Sequence, residues 1–134
     1  LTNKKLGTLF ERKICQMLAD IGYWVHFIVP DTRGAQPFDI VAVKNGISYA
    51  IDCKTCISNT FNISRLEDNQ IMAFERWIKC GNTDPVIVVE HNDQIYCVSY
   101  TALKAVKKCK LGGSNEKLED CGNNMFCSFD DKFN

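Results

Sequence analysis

The chain has 134 residues, 46% of them hydrophobic, with 16 Lys and Arg balanced by 16 Asp and Glu. That length suits one domain with one modest core. No stretch approaches the roughly 18 to 20 unbroken apolar residues that cross a bilayer, and the opening Leu1-Thr2-Asn3-Lys4-Lys5 lacks the apolar run of a signal peptide, so a soluble, intracellular protein of the reducing cytoplasm, with no membrane partner, is expected.

Leu6, Phe10, Ile14, Leu18 and Ile21 recur at helical spacing, widened by Leu9 and Met17, so residues 3 to 21 read as an amphipathic helix. Thr2 or Asn3 can cap it, and Gly22 ends it. Tyr23 to Val29 is aromatic and β-branched and reads as a strand running into Pro30 and a loop that carries Arg33. Phe38 to Val43 and Ile47 to Lys54 are two strand-like runs separated by Asn45-Gly46, a strong signal for a two-residue hairpin turn. With those two residues at the turn, Val43 faces Ser48, Val41 faces Ala50 and Asp39 faces Asp52.

Ser64-Arg65-Leu66-Glu67 has the form of a capping box, and Leu66, Ile71, Phe74 and Ile78 supply the apolar face of a second helix ending at Gly81. Val86 to Glu90 and Gln94 to Tyr100 read as a further hairpin about His91-Asn92-Asp93. A short helix from Thr101 to Lys110 follows, Leu103 and Val106 inward, with Lys104, Lys107, Lys108 and Lys110 on its wet side. Helix, three strands, helix, two strands and a short helix imply an α/β fold with a mixed sheet flanked by helices.

Residues 1 to 110 hold 14 Lys and Arg against 11 Asp and Glu, while residues 111 to 134 hold 2 against 5. A mildly basic body (1–110) and an acidic, cysteine-containing tail (111–134) result; such a balance permits nucleic-acid binding through local patches without demonstrating it. The eight cysteines are scattered as small apolar residues would be in a reducing compartment. Cys53 and Cys56 form a C-x-x-C, and Cys109, Cys121 and Cys127 gather late, which leaves a zinc site open although the spacings fit no standard ligand pairs. His26 and His91 read as structural.

Two acids facing each other across a hairpin repel unless a cation lies between them, and a hard divalent ion such as Mg²⁺ or Mn²⁺ takes oxygen ligands. Lys54, two residues after Asp52, projects to the same face. Two carboxylates, a metal and an ammonium are the parts of phosphodiester hydrolysis: acidified water, neutralised phosphate charge and stabilisation of the developing anion. The bland alternative is a solvated Asp/Lys pair. Glu11, one position off its apolar stripe, is either a further ligand or a surface acid, and Gln70, on the buried face of its helix, is either a partner of this group or an amide bonded to backbone. Lys4, Lys5 and Arg33 are candidate phosphate contacts; Lys104, Lys107 and Lys108 are either DNA contacts or an ordinary wet helix face.

Gly7-x-x-Phe10-Glu11-Arg12, Gly22-Tyr23-x-Val25, Pro37-Phe38-Asp39-Ile40-Val41-Ala42 and Ile51-Asp52-Cys53-Lys54, in this order, resemble the PD-(D/E)XK nuclease superfamily, and within it archaeal-type Holliday-junction resolvases and VRR-NUC nucleases. The resemblance runs from about residue 4 to residue 100. It implies a restriction-endonuclease-like core (αβββαβ) and a metal-dependent DNA endonuclease, a homodimer if it resolves four-way junctions. Its site would comprise Glu11, Asp39, Asp52 and Lys54, with the Cys53 backbone carbonyl as a further ligand and Gln70 matching a helix glutamine of VRR-NUC-like members. Other readings are a structure-specific or restriction-like nuclease and a noncatalytic DNA-binding module on the same fold. Phe38 departs from the pattern by separating Pro37 from Asp39, and Asp52 stands where glutamate is commoner; the acidic tail has no counterpart in it.

Overall fold

A computed structural model describes residues 2–29, 36–111 and 126–134. Helix α1 spans Asn3–Asp20, with the Thr2 hydroxyl accepting the Lys5 N–H at 3.2 Å. Gly22, at φ +97°, turns the chain out of the helix, and the Gly22 and Tyr23 N–H groups satisfy the Ala19 and Leu18 carbonyls in a Schellman closure. Burial begins at Phe10, so the first turns project past the core and leave Leu6 and Leu9 exposed.

Strands β1 (Trp24–Phe27), β2 (Ile40–Lys44) and β3 (Ile47–Thr55) form an antiparallel meander. Asn45 and Gly46 both take positive φ, the twist that suits a two-residue hairpin, and the rungs Val43–Ser48 and Val41–Ala50 stand as the turn requires. After a short β4 (Thr60–Asn62), helix α2 (Asp68–Lys79) carries the chain over to β5 (Val86–His91), which pairs parallel to β3. β6 (Gln94–Ser99) returns antiparallel, followed by α3 (Tyr100–Val106), β7 (Lys108–Lys110), β8 (Cys127–Ser128) and α4 (Phe129–Phe133). The main sheet has the order β1-β2-β3-β5-β6-β8, and β4 pairs with β7 in a separate ribbon.

Each face of the main sheet has its own core. Phe10, Ile14 and Leu18 of α1, joined by Phe129 and Phe133 of α4, pack on Ile40, Ile51, Val86 and Val88. On the other face Phe74 of α2 and Leu103 of α3 pack on Ala50, Ile87, Val89 and Val98, with Phe38, Phe61 and Tyr100. β3 and β5, buried on both sides, read accordingly as continuous apolar runs broken by Asp52.

Several sequence expectations change here. The Ser64 capping box does not form: residues Ile63–Arg65 make a 3₁₀ turn capped by Asn62, and α2 starts later, with Glu67 as its N-cap. The expected helix over residues 101 to 110 stops at Val106, because Lys107 adopts a left-handed conformation (φ 70°) and Lys108–Lys110 pair with β4. The end of the tail joins the body, since β8 extends the sheet and α4 buries two phenylalanines in the α1-side core. Phe74→Ala would remove a fully buried ring that stacks on Phe38 with centroids 6.0 Å apart; a loss of about 3 to 5 kcal/mol of stability is expected in urea unfolding.

Candidate active site

The site forms where β2 and β3 part. Along β3, Ala50 belongs to the α2-side core while Ile51 and Cys53 belong to the α1-side core, so alternation turns Asp52 and Lys54 toward α2. The β2–β3 ladder ends at Ile40–Ile51, and Asp39 stands one residue beyond it rather than in a paired rung with Asp52. Its N–H donates to the Ile51 carbonyl at 3.1 Å, and its Oδ2 accepts the Cys53 N–H at 2.8 Å. A carboxylate thus occupies a place that a main-chain carbonyl would otherwise hold, which fixes it at the mouth of the hairpin.

Asp52 is fully buried. Its Oδ1 accepts from Gln70 Nε2 at 2.9 Å; its Oδ2 lies 3.2 Å from Lys54 Nζ but makes no hydrogen bond among the described residues. Gln70 is the hinge of the group. Its Oε1 accepts from Lys54 Nζ at 3.2 Å and also from the Glu67 N–H at 3.0 Å, so the amide that caps α2 also bridges the acid and the ammonium. Both readings of Gln70 are met at once: it bonds Lys54 and Asp52, and it also accepts a backbone N–H. Phe38 has a role too: its ring lies against Phe74 and Trp77 of α2, seating the residue next to Asp39.

Glu11 reaches this mouth from α1. There its carboxyl, like that of Asp52, feels the charges of Asp39 and Lys54. Burial, then the Asp39 charge, raises the Glu11 pKa from 4.5 to about 7 against the opposing pull of Lys54. Asp52 is raised well above the usual carboxylate value, first by burial and then by Asp39, with Lys54 again opposing. Three acids, Lys54 and, beside Glu11, Arg12 therefore share the site, the acids in excess of the cations.

That excess, and the orphaned Asp52 Oδ2, suit a hard cation. Among the described residues no three His, Cys, Asp or Glu side chains stand close enough to hold a metal ion by themselves; Mg²⁺, which keeps several waters, needs only one or two carboxylates. The Cys53 N–H points to Asp39, and since a strand residue directs its N–H and C=O to the same edge, the Cys53 carbonyl lies on that edge too. Among the described residues the cysteines give no alternative centre, with Cys53 and Cys56 in opposite cores and Cys109 buried in β7; Cys121 lies outside the described residues.

The candidate DNA contacts are dispersed. Lys4 and Lys5 are exposed in the first turn of α1. Lys104 is engaged by Glu75 and lies over the Tyr100 ring, Lys107 closes α3 and Lys108 is an exposed strand residue, so these lysines share no helix face. Arg33 lies outside the described residues. His91 is structural as read: it is buried, with Nδ1 2.8 Å from the Cys56 carbonyl. Asn69 went unrecognised in sequence; its Nδ2 donates to the Gln36 carbonyl at 2.8 Å, tying the approach to Asp39 onto α2, and a lone asparagine on a helix flank carries no signal for that.

The archaeal Holliday junction resolvase (Hjc) family matches residues 2–115. The chain belongs to that family. Among solved structures the fold is similar to the Hjc resolvase of the archaeal hyperthermophile Archaeoglobus fulgidus, at 16% identity over 72% of this chain and 74% of that one, with a TM-score of 0.58. It is also similar to the bacterial homing endonuclease I-Ssp6803I, at 14% identity over 87% of this chain and 82% of that one, with a TM-score of 0.57. Comparison with curated proteins gives no match. The PD-(D/E)XK fold is thereby established, and this member of the Hjc family is a resolvase-like nuclease acting on DNA, of a fold whose nucleases are generally divalent-metal dependent. Among the described residues no helix is long and apolar enough to cross a membrane.

An acid whose pKa is higher folded than unfolded binds extra protons in the native state between those two values, so stability falls as pH rises through the window. Glu11 (4.5 to about 7) and Asp52 both shift in that direction. In EDTA the melting temperature should therefore decline from about pH 4.5 to about pH 7, and Glu11→Gln should reduce that slope. An unchanged slope in thermal melts would remove Glu11 from the cluster.

Proposed function

We propose that this chain is a Mg²⁺- or Mn²⁺-dependent endonuclease that cuts branched DNA, a four-way junction above all, with residues 1–110 as the nuclease unit and two copies acting together inside the cell. Two symmetric cuts need two sites, which a homodimer supplies. The observation that carries the reading is the meeting of Asp39, Lys54 and Gln70 around the buried Asp52 carboxylate, which bonds Gln70 through one oxygen and faces the Lys54 ammonium with the other.

Asp39, Asp52, the Cys53 carbonyl and Glu11 would hold the metal. When bound, a divalent cation supplies Lewis acidity toward the phosphate and acidifies water. Asp52 is held in one orientation by Gln70, so its second oxygen faces Lys54 without a rotamer search. Lys54, steered by the Gln70 amide oxygen, stays where it can meet the negative charge that grows on the phosphate oxygens. The raised Glu11 carboxyl is suited to hold a proton near neutrality and to release it when a cation or the lysine favours the anion. Lys4, Lys5, Arg33, Lys107 and Lys108 would contact phosphates, with Lys104 contributing while held by Glu75.

Labelled junction, flap and linear duplex, each with Mg²⁺, Mn²⁺ or EDTA, test this. Symmetric, metal-dependent cutting of the junction is expected; preferential cutting of flaps or duplex would replace the junction by another DNA structure, and binding without cutting in either metal would leave a noncatalytic module. Asp52→Asn should abolish cleavage while junction binding persists. Lys54→Ala should lower the single-turnover rate by about 10² to 10³, and an unaltered rate would exclude it from the chemistry.

A further inference from the structure

Beside the active site lies a second surface that the reaction above does not use. β3 runs from Lys54 into a loop at Cys56–Asn59, and a groove of about 490 Å³ opens between this loop, the 3₁₀ turn at Ile63–Arg65 and Asn3 at the start of α1. Ile57, on its wall, is 99% exposed, the most exposed of the large apolar side chains among the described residues. Three extended residues span at most about 10 Å, so Ile57 cannot be far from Lys54.

An isoleucine on a loose loop would fold away from water, but this loop is pinned on every side. The Cys56 N–H donates to the Glu90 carbonyl at 2.9 Å, and the Cys56 carbonyl lies 2.8 Å from His91 Nδ1. Asn59 Oδ1 lies 3.1 Å from His91 Nε2, and the Leu111 N–H donates to the Asn59 carbonyl at 2.7 Å. Thr60 N–H donates to the Ser58 hydroxyl at 3.1 Å. The buried histidine thus lies against both ends of the loop, and main-chain bonds at Cys56 and Asn59 tie it down, holding Ile57 in solvent.

The groove is built for an anion. Among the described residues no carboxylate lines it. Arg65 spends one donor on the Thr55 carbonyl at 2.9 Å and stands over the Phe61 ring, leaving the rest of its fork without a carboxylate partner among the described residues. The Asn3 amide, the Asn62 Nδ2 and the Ser64 hydroxyl likewise have no partner among the described residues. A long helix also begins here, its positive end adding to the field.

We propose that this groove binds the substrate strand next to the scissile phosphate: Arg65 and its amide and hydroxyl neighbours hold the adjoining phosphates, and Ile57 inserts against a base left unstacked at a branch point. Rigidly held apolar side chains flanked by phosphate donors are how proteins wedge base steps apart. A branch point is the DNA feature that exposes such a base at least cost, so the wedge supplies a preference for branched over continuous duplex. The inference rests on the reading of the protein as a DNA nuclease.

The test uses the full chain with a four-way junction carrying 2-aminopurine at the branch, in Ca²⁺ to prevent cutting. Wild type should change the 2-aminopurine fluorescence on binding. Ile57→Ser, at a fully exposed position where folding is not at stake, should lose that change and weaken junction binding by at least about tenfold, with linear-duplex binding altered far less. Arg65→Gln should weaken junction and duplex alike and reduce the salt slope of binding by about one. If wild type binds and cuts the junction but Ile57→Ser retains both signal and affinity, the wedge is overturned and the nuclease reading stands. If wild type binds no DNA of any form, both fall.

Discussion

The amide of Gln70 is the constraint on which the rest of the site depends. One side chain closes the first turn of α2, donates to the buried Asp52 and accepts from Lys54, so the start of a helix and the chemistry of a strand are set by the same three hydrogen bonds. A buried acid and a lysine could pair by themselves, but a bare pair taken out of water loses much of its attraction to desolvation. Gln70 offsets part of that loss with a donor for one partner and an acceptor for the other, and it leaves the second Asp52 oxygen to the lysine.

Charge explains why the arrangement is not a conventional ion-pair network. Glu11, Asp39 and Asp52 converge from α1, the end of β2 and the middle of β3, and Lys54, with Arg12 beside Glu11, answers them only in part. Burial first, and the Asp39 charge second, make Glu11 and Asp52 hold their protons more tightly. A cation relieves the same repulsion without protonation. A divalent ion bound as proposed above would be taken up in exchange for protons.

The fold delivers these groups by simple means. The positive-φ Asn-Gly turn sets the hairpin register, the end of the ladder lets Asp39 swing onto the Cys53 N–H, and the parallel β3–β5 pair buries Asp52 between two cores. Phe38, which interrupts the Pro-Asp spacing of the superfamily pattern, anchors the chain between Phe74 and Trp77 just before Asp39. His91 does similar work for the loop beyond Lys54. Rigidity around the site comes from such supports as much as from the acids themselves.

Local signals in the chain were enough for α1 and its Gly22 stop, the two hairpins, the register through Val41–Ala50, and Asp52 and Lys54 on one face, because each follows from periodicity, turn chemistry or strand alternation over a few residues; Glu11 and Gln70 were each left between two readings. What needed the assembled protein is long-range. Asp39 left its rung because a side-chain oxygen could take a main-chain N–H; α2 began at Glu67 rather than Ser64 because Gln70 capped it while reaching across to β3. Lys108–Lys110 became a strand because β4, nearly fifty residues earlier, offered it an edge, and the C-terminal Phe129 and Phe133 found a core only once α1 and the sheet had made one. Those outcomes are competitions between partners distant in sequence, and no short window of residues contains both competitors.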